Sequence, residues 1–168
     1  FMRNFIVILM IFSSYVTNAQ WPVVYGQEYY WSNPNHTRET YDKGFIVTFD
    51  YQTNPGMAYN SALLKVDING NLLWKKVMGN QSKNMQIRGI SVVNDGGIII
   101  SGRTWLYNDD QDPFIMKLNA CMEPEWYNIY STPGLEDFAD QIIYLNEENV
   151  FITSFLNNSS NERIHLLK

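Results

Sequence analysis

Any chemistry in this chain has to come from a small set of side chains. The stretch YNDDQDP (residues 107–113) brings Asp109, Asp110 and Asp112 together, and these are oxygen ligands of the kind Ca2+ prefers. The stretch lacks the spacing and the glycine of an EF-hand loop, so a solvated loop between two strands is the better reading. No cofactor is predicted, and Ca2+ is the ion weighed for these residues. Carboxylate pairs that hydrolyse glycosides stand about 5 to 9.5 Å apart. Glu136 with Asp137, Glu147 with Glu148, and Glu123 with Glu125 are the pairs available. All three fall in expected turns or loops, where acidic residues are common anyway, and none is assigned as catalytic. His36 and His165 lie in no nucleophile motif such as G-x-S-x-G. One cysteine excludes a cysteine-rich zinc site and an internal disulfide, and two histidines leave little for a metal cluster. The lone Cys121 is read as a small packed hydrophobe. Aromatic rings on loops offer a different chemistry, stacking on a sugar or gripping a peptide. The candidates are Tyr29, Tyr30 and Trp31, in a link before a strand, with Trp105 and Tyr107 in a loop after one. Their structural alternative is to shield strand ends from water.

The elements that position these residues follow from composition and pattern. Of 168 residues, 45% are hydrophobic, 15% aromatic and only 17% charged. That is enough for one domain with a real core, and the aromatic bias favours strands. The net charge of −5 and the absence of a Lys/Arg cluster argue against nucleic acid as a partner. At the N-terminus, Arg3, the apolar run FIVILMIF (5–12) and the small residues ending at Ala19 predict a signal peptide over residues 1–19. The apolar run is too short to span a bilayer, so the mature chain is expected to be secreted, periplasmic or at the cell surface, with no membrane span.

The tryptophans expose a repeat. Trp21, Trp74 and Trp126 are 53 and 52 residues apart, and each begins a similar strand: WPVVYG, WKKVMG and WYNIYS. Gly44, Gly97 and Asn149 form a second column at the same spacings, just before the strands FIVTFDY, IIISGRT and VFITSFL. Lys65, Lys117 and Lys168 form a third column, 52 and 51 apart. Each unit therefore reads as four short strands. The first is faint, around residues 36–41, 89–93 and 141–145. Asn69-Gly70 predicts a two-residue hairpin with both residues at positive φ. The second repeat writes ACMEPEW at that place, which predicts a looser turn.

Four strands per unit and a period near 50 are the pattern of a β-propeller blade. The expected fold is all-β: an incomplete propeller of about three four-stranded antiparallel blades in an open arc. It divides into a Trp strand (20–27), blades at 28–79 and 80–131, and an incomplete blade at 132–168. Trp21, Trp74 and Trp126 are expected to be packing anchors between blades, with Gly44 and Gly97 as structural anchors.

The segments LLKVDINGNLLWKKVMGN and NDGGIIISGRT…DPFIMKLNACMEPEW resemble the secreted propeller-like repeat proteins of Bacteroidetes-type bacteria over residues 20–168. They are also similar to the tryptophan-docked blades of quinoprotein-like and outer-membrane assembly propellers. The third repeat departs from the pattern, with NEEN in place of NDGG. The resemblance implies an exported protein, in many such cases a cargo of the type IX secretion system. The blade count implies an N-terminal piece whose further blades lie downstream. In the complete ring, the Trp21 strand would finish the last blade. The expected function is a non-enzymatic scaffold for an extracellular protein or glycan. The alternative is part of a secreted propeller enzyme, acting on polysaccharide or of quinoprotein type.

Overall fold

The computed structural model describes residues 25, 31–79, 84–105, 110–130, 134, 136–146, 149–158 and 161–167. The predicted signal peptide, Trp21, Tyr29, Tyr30, Tyr107, Asp109, Glu147, Glu148 and Lys168 lie outside them.

Among the described residues the chain is all-β. Its strands are β1 (Trp31–Glu39), β2 (Phe45–Gln52), β3 (Asn60–Val66), β4 (Leu72–Met78), β5 (Met85–Val92), β6 (Ile98–Thr104), β7 (Asp112–Leu118), β8 (Pro124–Ile129), β9 (Glu136–Asn146), β10 (Asn149–Asn158) and β11 (Asn161–Leu167). They form three antiparallel sheets with neighbours in chain order. Two are four-stranded, β1-β2-β3-β4 and β5-β6-β7-β8, and the third is β9-β10-β11. No described helix is long and apolar enough to cross a membrane.

The sheets stack in sequence, because side chains alternate between the faces of a strand. On β6, Ile98 and Ile100 join Ile46 and Leu63 of the first sheet, while Ile99 on the opposite face joins Ala139, Ile142 and Ile152 of the third. On β7, Phe114, Met116 and Leu118 point one way and Ile115 the other. The middle sheet is thus covered on both faces, which is why β6 opens on three consecutive isoleucines, Ile98 to Ile100. The first strand of each following sheet lies against the previous one, β5 on β1 and β9 on β5. Several inter-sheet hydrogen bonds join residues one period apart. Asn35 Nδ2 donates to the Ile87 carbonyl (2.9 Å), Tyr41 Oη to Asn94 Oδ1 (3.0 Å), and the Tyr144 N–H to Ser91 Oγ (3.1 Å). The three sheets do not close on one another into a ring among the described residues.

The first strands begin earlier than the sequence pattern suggests, at Trp31, Met85 and Glu136. Trp31 therefore opens a strand instead of lying in a link, and His36 sits within that strand. Each first strand carries an irregularity at the same place. Asn35 is skipped between the pairs Pro34–Phe49 and His36–Thr48, and Arg88 between Ile87–Gly102 and Gly89–Ser101. On β9 one extra residue falls between the partners of Ile152 and Ser154. A bulge resets the alternation, and this erased the period-two signal that would have marked these strands. Hydroxyls on the second strands occupy the matching column. Thr48 Oγ1 accepts from the His36 N–H (3.1 Å), Thr153 Oγ1 from the Gln141 N–H (3.0 Å), and Ser101 Oγ donates to the Asp140 carbonyl (3.3 Å).

Four turns share one geometry. Thr40 and Gly44, Val93 and Gly97, Asp67 and Asn71, and Asn119 and Glu123 each close an N–H to carbonyl bond of 2.9 to 3.1 Å. The residue before the closing position has positive φ in each: Lys43 (66°), Gly96 (84°), Gly70 (82°) and Met122 (62°). This corrects one expectation. Only Gly70 of the Asn69-Gly70 pair is left-handed, so the turn is a type I turn with a bulge. The second hairpin keeps the same backbone closure, with Met122 in the glycine conformation and Asn119 Oδ1 accepting from the Glu123 N–H, while Asp67 accepts two further bonds, from the Asn69 N–H and the Asn71 amide.

Candidate functional site

At the end of the sheets where these turns lie, one arrangement occurs twice. Lys65 Nζ meets Asp42 Oδ1 at 2.6 Å, and Lys117 Nζ meets Asp95 Oδ2 at 2.5 Å and Glu125 Oε2 at 2.6 Å. Each aspartate is also held by its own turn, because Asp42 Oδ1 accepts from the Gly44 N–H and Asp95 Oδ1 from the Gly97 N–H. The Lys65 ammonium, then the Thr40 hydroxyl, bring the Asp42 carboxyl down to about 2. Asp95 and then Glu125 lift the Lys117 ammonium to about 12. Each lysine stands directly across from a tryptophan, Lys65 from Trp74 and Lys117 from Trp126. A cleft borders each pair. One of about 330 Å3 is lined by Asp42, Lys65, Trp74, Ala120 and Met122 among others. The other, of about 360 Å3, includes Asp95, Lys117, Trp126, Tyr144 and Val150. Trp74 packs against the core cluster, whereas Trp126 is 39% exposed. Both lysines are charge-paired, so the ring faces, not the cations, are what these clefts offer a ligand.

Gly44 and Gly97 have a steric explanation. A Cβ on Gly44 would strike the Val66 carbonyl oxygen, and one on Gly97 the Leu118 carbonyl oxygen. In the first two repeats this place is glycine because the turn folds back onto the third strand of its own sheet.

Between the second and third sheets, away from these turns, lies a second polar cluster. Gln86 on β5 stands opposite Arg103 on β6. Its Oε1 accepts from Arg103 Nε (2.7 Å) and from Arg88 Nη2 (3.3 Å). Arg103 Nη1 donates to Gln111 Oε1 at 2.5 Å. The Arg103 guanidinium lies 5.1 Å from the ring centre of Trp105 and 5.7 Å from that of Phe138, within cation–π range. Burial, then the neighbouring Arg88, pull the Arg103 guanidinium down from its usual range. Asp50 on β2 is fully buried and accepts from Ser61 Oγ, and burial pushes its carboxyl up.

The remaining sequence candidates are dispersed. Asp110 Oδ2 accepts from the Gly134 N–H (3.2 Å). Asp112 is not in a solvated loop. It is the first residue of β7 and is 1% exposed, because the ladder to β6 begins with its pairing to Thr104. Among the described residues no group of three or more His, Cys, Asp or Glu converges on a metal position. Glu125, Glu136 and Asp137 lie in strands, not loops. Glu125 is committed to Lys117, Glu136 is exposed and Asp137 is buried. Cys121, expected to be packed, is an exposed free thiol on the β7–β8 turn. Backbone pairing sets His165 opposite Ser154, inside β11. Trp105 covers Arg103, and Trp31 meets Tyr59 edge to face at 5.5 Å.

The aspartate partners of the lysine column were missed in the sequence, although a signal existed. Asp42 and Asp95 each precede the glycine column by two residues, and Glu147 stands at the same place in the third repeat. Comparison with known proteins finds no family model that matches the chain, and no curated protein matches it.

Proposed function

We propose that this chain is an exported, non-enzymatic repeat scaffold of the β-propeller type that binds an extracellular protein or glycan. Sheets of one topology, repeated about every 52 residues and stacked face to face, support the scaffold reading. Export rests on the leader-like residues 1–19. The observation that carries the binding reading is the Trp31–Tyr59 pair. The two rings meet edge to face with 39% and 38% of their surface open to solvent, and Met57 of the following loop is 46% exposed. Rings locked in this way present a rigid apolar platform at little entropic cost. The alternative of a secreted enzyme would draw on Asp50, the carboxyl that burial raises. That group is sealed from solvent, with Oδ1 accepting from Ser61, and its lack of access favours the binder.

The test is a titration of the full chain with a panel of neutral and acidic oligosaccharides, read by tryptophan fluorescence. At least one should bind saturably, and Trp31→Ala should weaken it roughly two- to tenfold, the scale of one aromatic contact. Binding unchanged in Trp31→Ala would rule this face out. A flat response to the whole panel would remove the glycan and leave a protein partner.

A further inference from the structure

Among the described residues, the two arginines on the middle sheet form no ion pair. Arg88 is the residue that the β5 bulge leaves without a partner on β6, and it lies two places from Gln86, which stands opposite Arg103. All three polar groups therefore gather on one side of the sheet, against Gln111 and the Phe138 ring. Both guanidinium groups donate to the same neutral oxygen, Gln86 Oε1. Neither forms an ion pair with any described carboxylate. The buried Asp50 carboxyl feels the charge of both arginines and Glu136 that of Arg103, all beyond ion-pair distance.

Like charges that converge on an uncharged acceptor repel one another unless an anion lies between them. Each guanidinium carries five N–H donors in a fixed fork. Gln86 and Gln111 use two of those on Arg103, and Gln86 uses one on Arg88. The remaining donors have no described acceptor. The rings of Trp105 and Phe138 hold the Arg103 plane in place. A fixed fork beside a second fork is the geometry that oxyanions bind in bidentate fashion. The neighbouring sheets show that a bulge need not make such a site. In the same column Asn35 is satisfied by the Ile87 carbonyl, and the Asp140 carbonyl by Ser101.

We propose that Arg88 and Arg103 form a two-guanidinium cradle for the oxyanion group of a ligand, a carboxylate or a phosphate. The site does not depend on the aromatic face at Trp31 and Tyr59.

The full chain is titrated by calorimetry with sodium glucuronate, with inorganic phosphate, and with glucose as the neutral control. At least one anion should bind saturably and glucose should not, with affinity falling as salt rises. Preferred glucuronate assigns the carboxylate, and preferred phosphate assigns the phosphate. Arg88→Gln should weaken the anion about tenfold or more, the scale of a lost charge-assisted hydrogen bond. Arg88→Lys keeps the charge but loses the fork, and should fall between Arg88→Gln and the parent. Arg103→Gln is avoided as the main variant because two rings pack on that side chain; circular dichroism melts check the fold of the Arg88 variants. The proposal is overturned if neither anion saturates, if glucose binds as well as the anions, or if both folded Arg88 variants bind like the parent.

Discussion

Between the first and second sheets, Met85 and Ile87 enter a buried apolar cluster with Leu63, Phe114 and Met116. One period later, between the second and third sheets, the same two places hold Asp137 and Ala139, both buried. Trp74 at the first seam packs against the core, with Met122 of the next turn beside it, whereas Trp126 at the second seam is 39% exposed. Asp50 of the first sheet gives way to Arg103 in the second. The two joints share a backbone plan but differ in chemistry. The first has the larger apolar cluster, with Asp50 buried beside it, and the second a smaller one, with Asp137 and Arg103 beside it. A repeated fold can thus keep one seam for cohesion and free the next for polar work, because the strand ladder does not depend on which side chains face the neighbour.

The largest expected effect comes from making the first seam resemble the second. Ile87→Ala places the small residue of the second seam in the first, and should cost about 2 to 5 kcal/mol in urea unfolding. A loss under about 1 kcal/mol would mean that the first seam is not the tighter joint. Next come the glycines. Gly44→Ala and Gly97→Ala each force a Cβ onto a carbonyl oxygen, and each should cost about 1 to 3 kcal/mol. Their effects should match within about 0.5 kcal/mol if the two turns are equivalent in energy as well as in shape.

The smallest effects concern pH. Asp42 has its carboxyl lowered from 3.8 to about 2, so its stabilising contribution is complete above about pH 4 and is lost as pH falls towards 2. Asp42→Asn should flatten that part of the acid limb. The bridge is solvent-exposed on the aspartate side, so the change should stay below about 1 kcal/mol and shrink with added salt. Asp50 has the opposite sign. Its carboxyl is raised, so folding gains as the pH falls through its folded value and pays a cost above it. Asp50→Asn should remove that dependence. Thermal melts of both variants across pH 2 to 7 separate the two limbs.

Much of the plan was legible in the sequence because some places in the repeat tolerate few residues. Gly44 and Gly97 recur because a side chain would strike the neighbouring strand, and Lys65 and Lys117 recur with the aspartates that hold them. The first strands were placed too late because a bulge in each breaks the alternation that marks a half-buried strand. The shared backbone shape of the second hairpin was not legible because Met122 takes a left-handed conformation that its residue type disfavours, while the residue is buried in the core. The carboxylates picked out by spacing turned out dispersed, since neighbours along a strand point to opposite faces.

By itself, the sequence determined that the chain is all-β, that its unit is four strands, and that the unit returns about every 52 residues. Those properties follow from local pattern and from steric limits that act on each repeat alike. Tertiary structure alone decided which faces meet. It gave Met85 and Asp137 the same place in different seams, sealed Asp50, and brought Arg88 and Arg103 to one glutamine. Strand pairing and sheet stacking join residues far apart in the chain, and no residue type announces its partner across such a distance.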